Sequence, residues 1–168
     1  MPDRDFVLGL GTNLGNRTLN LVQAVQAVAP LGTLLKASGL FETPPVGPPQ
    51  PDYLNAALLF RSGLGPGVLM EGLLGVEVAL GRVRNERWGP RVIDLDLLWS
   101  PGLVLSESNL VLPHPALCER PFALQPLLEV APDASDPLSG RTYRDILGSL
   151  GAAPLYPLAG TEFGAWIR

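Results

Sequence analysis

Apolar and polar positions fall along this 168-residue chain in patterns that predict its elements one after another. Residues 5–10 (Asp-Phe-Val-Leu-Gly-Leu) are a short apolar run that stops at Gly11-Thr12-Asn13-Leu14-Gly15-Asn16, a buried strand followed by a tight turn. From Arg17 to Ala29, Leu21, Val22, Val25 and Val28 fall at i, i+1, i+4 and i+7, so this stretch predicts an amphipathic helix that Pro30 stops. Residues 33–42 read as a second strand, ended by Thr43-Pro44-Pro45, where proline removes ladder donors. The proline-rich stretch 46–52 is an irregular loop. Tyr53 to Ser62 reads as another strand, and Pro66 suits the first position of a helix running to about Leu80. A polar, arginine-rich loop spans 81–90, and Val92 to Trp99 reads as a strand. After Pro113-His114-Pro115 come short helices, around 121–129 and 141–149.

That order, β-α-β-β-α-β and then helical additions, predicts an α+β fold of the ferredoxin-like kind, an antiparallel sheet with helices on one face. No internal repeat and no linker divides the chain, so residues 1–168 are expected to form a single domain. The tail 151–168 lacks periodicity and is expected to be a surface wrap or partly disordered.

Composition narrows the function classes. A hydrophobic fraction of 46% with 17% charged residues excludes intrinsic disorder. The net charge of −4 argues against a nucleic-acid or anionic-membrane binder, which needs basic surface. A lone cysteine, Cys118, builds neither an internal disulfide nor a thiolate zinc site. The acidic residues between Met1 and Asp5 do not suit a secretory leader, and no apolar run approaches the roughly 18 residues of a membrane helix. A cytoplasmic protein is expected. The only lysine, Lys36, lies in Leu34-Leu35-Lys36-Ala37 without the glycines of a P-loop, so phosphate chemistry here must rest on arginine, metal or backbone. Gly9-Leu10-Gly11-Thr12-Asn13-Leu14-Gly15 is one residue too long for a dinucleotide fingerprint.

The sharpest local signal is Ile93-Asp94-Leu95-Asp96-Leu97-Leu98. Strand alternation sends Asp94 and Asp96 to one face and Leu95 and Leu97 to the core. Two carboxylates so placed repel unless a cation lies between them, and Mg²⁺ takes one or two carboxylates while phosphates and water complete its shell. The plain alternative is an amphipathic strand with its outer face in water. Upstream, Arg82, Arg84, Arg87 and Arg91 surround Trp88 in the stretch from Gly81 to Arg91, which fits half of a polyphosphate clamp. Glu77 ends an apolar helical stripe and reads first as a solvated helix end. His114 is the only histidine, set between two prolines. Tyr53 and Asn55 share a strand face, an aromatic beside an amide, which suits stacking a heteroaromatic ring and pairing its edge.

In this order the motifs resemble the 6-hydroxymethyl-7,8-dihydropterin pyrophosphokinase family of folate biosynthesis. They are Gly11-Thr12-Asn13-Leu14-Gly15, Glu42-Thr43-Pro44-Pro45 through Gln50-Pro51-Asp52-Tyr53-Leu54-Asn55, Gly81-Arg82-Val83-Arg84 to Trp88-Gly89-Pro90-Arg91 with Asp94-Leu95-Asp96, and Leu112-Pro113-His114-Pro115 to Arg120. The resemblance covers about residues 5–132 and implies a ferredoxin-like fold and transfer of pyrophosphate from ATP to the pterin hydroxymethyl group, with AMP released. It implies that Asp94 and Asp96 hold two Mg²⁺ ions against the triphosphate. Glu77, Arg82, Arg84, Trp88, Arg91, Leu97, His114 and Arg120 are implied to contact ATP, with Arg82, Arg91, Asp94 and Asp96 central to catalysis. Tyr53 and Phe122 would sandwich the pterin, and Thr43, Pro44, Val46 and Asn55 would read its edge. The protein is expected to act as a monomer on these two small molecules. The alternatives are a binding protein of the same fold that has lost catalysis and a single-phosphate kinase acting on a small alcohol.

Overall fold

The computed structural model describes residues 2–82 and 90–158. Its main sheet is antiparallel throughout, with strands β1 (Arg4–Thr12), β2 (Thr33–Ala37), β3 (Phe41–Thr43), β4 (Tyr53–Ser62) and β5 (Asp94–Trp99). The strand order is β2-β4-β1-β5, with β3 also paired to β4, so the first strand and the one before α2 are central. Helix α1 (Arg17–Val28) begins where the Asn16 side chain accepts from the Leu19 amide at 3.1 Å. Helix α2 (Pro66–Ala79) opens on its proline and ends before Gly81, whose φ of +96° turns the chain out of the helix.

Alternation along β1, β4 and β5 divides two apolar clusters between the two faces of the sheet. Phe6, Leu8, Leu10, Leu54, Leu58, Phe60, Leu95 and Leu97 face α1 and α2, whose Leu21, Val25, Leu69 and Leu73 are fully or almost fully buried against them. Each such side chain contributes about 1.5–3 kcal/mol by leaving water. On the opposite face Val7, Ala57, Leu98 and Trp99 pack under α3 (Pro121–Val130) and α4 (Tyr143–Ser149). There Trp99 meets Tyr143 edge to face, with ring centroids 6.3 Å apart, and donates its indole N–H to the Ser135 carbonyl at 3.0 Å. The two helices of the β-α-β-β-α-β core thus share one face as expected, and the C-terminal additions cover part of the other.

The stretch 33–42 is not one strand. At the Ser38-Gly39-Leu40 break the Ser38 hydroxyl accepts from the Ala57 amide at 2.8 Å, replacing a ladder bond, while Leu40 turns fully inward. A small hairpin, β6 (Leu105–Ser106) with β7 (Val111–Leu112), lies in a stretch that the apolar pattern left blank. Residues 151–158 of the tail run over the surface to the same break, where the Leu158 amide donates to the Leu40 carbonyl at 2.8 Å.

Candidate active site

The part of the second face that α3 and α4 do not cover is a cavity of about 500 Å³, within the range of about 300–1,000 Å³ usual for small-molecule sites. Strand register assembles its floor: Gly11 lies opposite both Asn55 and Asp94, and Gly9 opposite Asp96. Glycine at both inward positions of the central strand leaves a trough. A Cβ on Gly11 would stand 3.3 Å from Asn55 Oδ1 and 3.5 Å from the Tyr53 ring. One wall comes from Thr43 at the end of β3 with Pro44 and Val46 after it, and the other from His114, Arg120 and Phe122, which precede or begin α3.

The floor is polar at one end and aromatic at the other. Asp94 receives Arg82 at 3.0 Å on one oxygen and Arg91 at 3.1 Å on the other. Arg82, only 9% exposed, also bonds the Glu77 carboxylate, which accepts the Leu95 amide at 3.1 Å. Burial, then the neighbouring Asp94 charge, pushes the Asp96 carboxyl up to about 7. Burial also raises the Tyr53 phenol, against the pull of Arg91. His114 is lowered by burial first and by Arg120 second. Its Nδ1 accepts from the Ala116 amide at 3.2 Å, which leaves the proton of the neutral ring on Nε2. Arg120 stands 5.7 Å from the centroid of the Phe122 ring, within cation–π distance. Asn55, nearly buried, donates to the Thr43 hydroxyl at 2.6 Å, which fixes the direction of its amide.

The donor set fits a hard divalent cation that shares its shell with phosphate. Among the described residues no three His, Cys, Asp or Glu side chains converge as an all-protein metal cage would require. Two carboxylates on one strand face, one of them raised by burial first and by the other's charge second, suit Mg²⁺ completed by substrate oxygens and water.

The cavity brings together Thr43, Pro44, Val46, Tyr53, Asn55, Arg91, Asp94, Asp96, His114, Arg120 and Phe122, all singled out in the sequence. Three other side chains do not line it: Leu97, Glu77 and Arg82, the last held between Glu77 and Asp94. Leu97 is 2% exposed in the core on the opposite face, because alternation from Asp96 sends it there. Glu77 is neither a solvated helix end nor part of the cavity wall. It is 1% exposed beside Leu69 and Leu73 on the inward stripe of α2, where it grips Arg82 from behind Asp94. Arg84 and Trp88 lie outside the described residues. The residue reading passed over the trough, although glycines at alternate positions 9 and 11 of a strand leave a gap on one face. It gave Asn13 no task beyond its motif, and the structure gives it several bonds.

Fold and cavity define a ferredoxin-like α+β protein that places a carboxylate–arginine centre for an anionic ligand beside a stacking site for a flat polar ring. Comparison with known proteins narrows this class. A family model described as 7,8-dihydro-6-hydroxymethylpterin-pyrophosphokinase matches residues 7–132. The chain is 39% identical over 161 residues to the 2-amino-4-hydroxy-6-hydroxymethyldihydropteridine pyrophosphokinase of Synechocystis sp., covering 94% of this chain and 83% of that protein. It is 44% identical over 146 residues to the protein of the same name from Methylorubrum extorquens, covering 85% and 91%. In structure it is similar to a Plasmodium falciparum HPPK-DHPS crystallised with pteroate, with a TM-score of 0.72, 14% identity and 88% of this chain covered. The match spans 44% of that longer chain, and at such identity it bears on the fold alone. The chain belongs to the 7,8-dihydro-6-hydroxymethylpterin-pyrophosphokinase family.

Proposed function

We propose that this chain transfers the terminal pyrophosphate of ATP to the hydroxymethyl group of 6-hydroxymethyl-7,8-dihydropterin, releasing AMP, as a step of folate biosynthesis. The observation that carries the reading is one cavity that joins two chemistries on the strands flanking β1: Tyr53 and Asn55 on β4, and Asp94 and Asp96 on β5. Tyr53 and Phe122 enclose the pterin ring. Asn55, aimed by Thr43, meets its amide edge, while Pro44 and Val46 close that end. Arg82, Arg84, Trp88, Arg91, His114 and Arg120 take the nucleotide and its phosphates.

Asp94 and Asp96 would hold two Mg²⁺ ions, which would supply positive charge against the phosphates of the reacting nucleotide. Phosphoryl-type transfer requires little covalent help, so the chain's task is positioning and electrostatics, with no protein nucleophile. Arg91 and Arg82, both already beside Asp94, supply fixed positive charge at the transferring group. His114, neutral and carrying its proton on Nε2, donates a hydrogen bond to a phosphate oxygen. In this reading the protein works as a cytoplasmic monomer. No helix among the described residues is long and apolar enough to cross a membrane.

A product assay tests the proposal. Purified protein is given ATP, Mg²⁺ and 6-hydroxymethyl-7,8-dihydropterin, and the nucleotides are separated. AMP formed only with the pterin present is the expected result. ADP would make the protein a single-phosphate kinase, and binding of both compounds without turnover would make it a binding protein.

A further inference from the structure

Helix α1 opens on a positive charge, Arg17. Cations are disfavoured at the positive end of a helix dipole, and the first turn of α1 carries no acidic side chain to offset this one. The guanidinium leaves its own element and spans two others. Its Nη2 lies 2.7 Å from Glu42 Oε2, and its Nη1 donates to the Asp52 carbonyl at 3.0 Å. Glu42 directly precedes Thr43, and Asp52 directly precedes Tyr53. The two nitrogens of one planar fork therefore join the beginning and the end of the proline-rich loop.

Those loop ends meet beside the aromatic end of the cavity. Strand β3 is three residues long, and its last pair with β4 sets Thr43 opposite Tyr53. Alternation divides the side chains between the two faces. Thr43, Tyr53 and Asn55 look into the cavity, where Asn55 donates to the Thr43 hydroxyl at 2.6 Å. Glu42, opposite Leu54, looks toward the helices, where Leu54 joins the core and Arg17 meets the carboxylate. The end of so short a ladder is where local opening begins, and here that end carries the Tyr53 ring and the hydroxyl that aims Asn55. Arg17 closes it from behind and does not line the cavity.

Resting on the function proposed above, we infer that Arg17 is a positioning residue for the pterin site: it holds the Thr43–Tyr53 end of the β3–β4 ladder closed, so that the Tyr53 ring and the Asn55 amide keep the placement a flat polar ring needs. An ordinary partly exposed ion pair contributes little, and only to overall stability. This one stands at the foot of the loop that frames one ligand, so its loss is read in that ligand and not in the other. The pair of Arg61 with Asp5, also at 2.7 Å, joins β4 to β1 at the end of the sheet away from the cavity and serves as the internal standard.

The test compares two calorimetric titrations. One adds 6-hydroxymethyl-7,8-dihydropterin in the presence of Mg²⁺ and α,β-methylene-ATP, whose bridging carbon prevents transfer; the other adds that nucleotide with Mg²⁺ alone. Arg17→Met keeps the stem and removes the guanidinium. It is expected to weaken pterin binding by about three- to tenfold, with the nucleotide Kd held within about twofold. Glu42→Ala, which leaves the Asp52 contact, should weaken pterin binding less, and Glu42→Gln, which keeps an acceptor for Arg17, least of the three. Combining Arg17→Met with Glu42→Ala should add nothing to Arg17→Met, because the two residues share one interaction. Arg61→Met should leave both affinities at wild-type values. Unchanged pterin affinity in Arg17→Met, an equal loss for both ligands, or the same loss in Arg61→Met overturns the inference. The Glu42 variants decide by the same comparison if Arg17→Met does not fold. Wild-type protein that binds neither compound overturns the proposed function, and this inference with it.

Discussion

Gly11→Ala separates fold from function at a single atom. Gly11 lies in the extended central strand, opposite Asn55 and Asp94. Its new Cβ would meet Asn55 Oδ1 at 3.3 Å and Tyr53 ring atoms at 3.5 and 3.8 Å. The latter two are ordinary contacts. The first is tight, and Asn55 cannot swing freely because it is held to Thr43 at 2.6 Å. Alanine restricts the unfolded chain and by itself stabilises by about 0.4–1 kcal/mol. The strained Asn55 contact offsets part of that gain, so net stability should stay within about 1 kcal/mol of wild type, a Tm change within about 4 °C. The same methyl group fills the trough between Tyr53 and Asn55 where the pterin ring would lie. Overpacking of this kind costs about 1–3 kcal/mol, which corresponds to about 5- to 150-fold weaker pterin binding. Thermal denaturation and calorimetric titration with the dihydropterin, both with Mg²⁺ and α,β-methylene-ATP present, measure the two quantities. Unchanged pterin affinity in a protein of normal stability would refute the placement of the ring over this strand. A large loss of stability would show that the glycine serves the backbone and not the cavity.

Asp96→Asn should leave the Tm equal or higher, since it removes a buried charge next to Asp94, while lowering kcat by about 100-fold or more; near-normal turnover would remove Asp96 from the machinery. Tyr143→Phe should leave the Tm unchanged or raise it, because the Tyr143 hydroxyl is buried without a hydrogen-bond partner among the described residues. A Tm lowered by several degrees would reveal a bond to that hydroxyl. His114 takes its proton less readily folded than unfolded, so it adds to stability above its ordinary pKa of about 6.5, and that contribution is lost as pH falls through this value. His114→Gln should therefore flatten the fall in denaturant stability between about pH 7 and 5; identical pH slopes for wild type and variant would refute this.

Much of the fold was legible because its periodicities are local. The α1 stripe, Pro66 at the head of α2 and the Asp94/Asp96 alternation each need only a few neighbouring residues to read. The break in the second strand was not legible. Ser38 interrupts the ladder only because its hydroxyl finds the Ala57 amide, 19 positions away. The β6–β7 hairpin has strands of two residues, too short to show a period. At the site, the residues on β4 and β5 announced themselves by type and spacing. The partners across the cavity, Phe122 and Arg120, carried no local sign of where they stand, and only resemblance to a family supplied it. Glu77 misled for a physical reason. A carboxylate ending an apolar stripe belongs in water unless a guanidinium and an amide reach it, and Arg82 and the Leu95 amide do so from other segments.

Those same arginines explain how a sheet face can carry two carboxylates between two apolar clusters. Along that face the strands run from Val7, Ala57 and Leu98 beneath α3 to Gly9, Gly11 and the aspartates, so the acids stand at the margin of a low-dielectric layer. Burying a carboxylate there costs several kcal/mol unless it is paired. Asp94 is paired twice, through Arg82 and Arg91, whereas Asp96 bears the unfavourable term and holds its proton up to about 7. The guanidinium groups that satisfy Asp94 are also the ones suited to grip phosphate bidentately. In the proposed function a polyphosphate bound with its cation would exchange partners at this centre: carboxylate to metal, arginine to phosphate. No charge needs to be buried alone at any stage, and that is why acids and arginines occur here together and not as two separate patches.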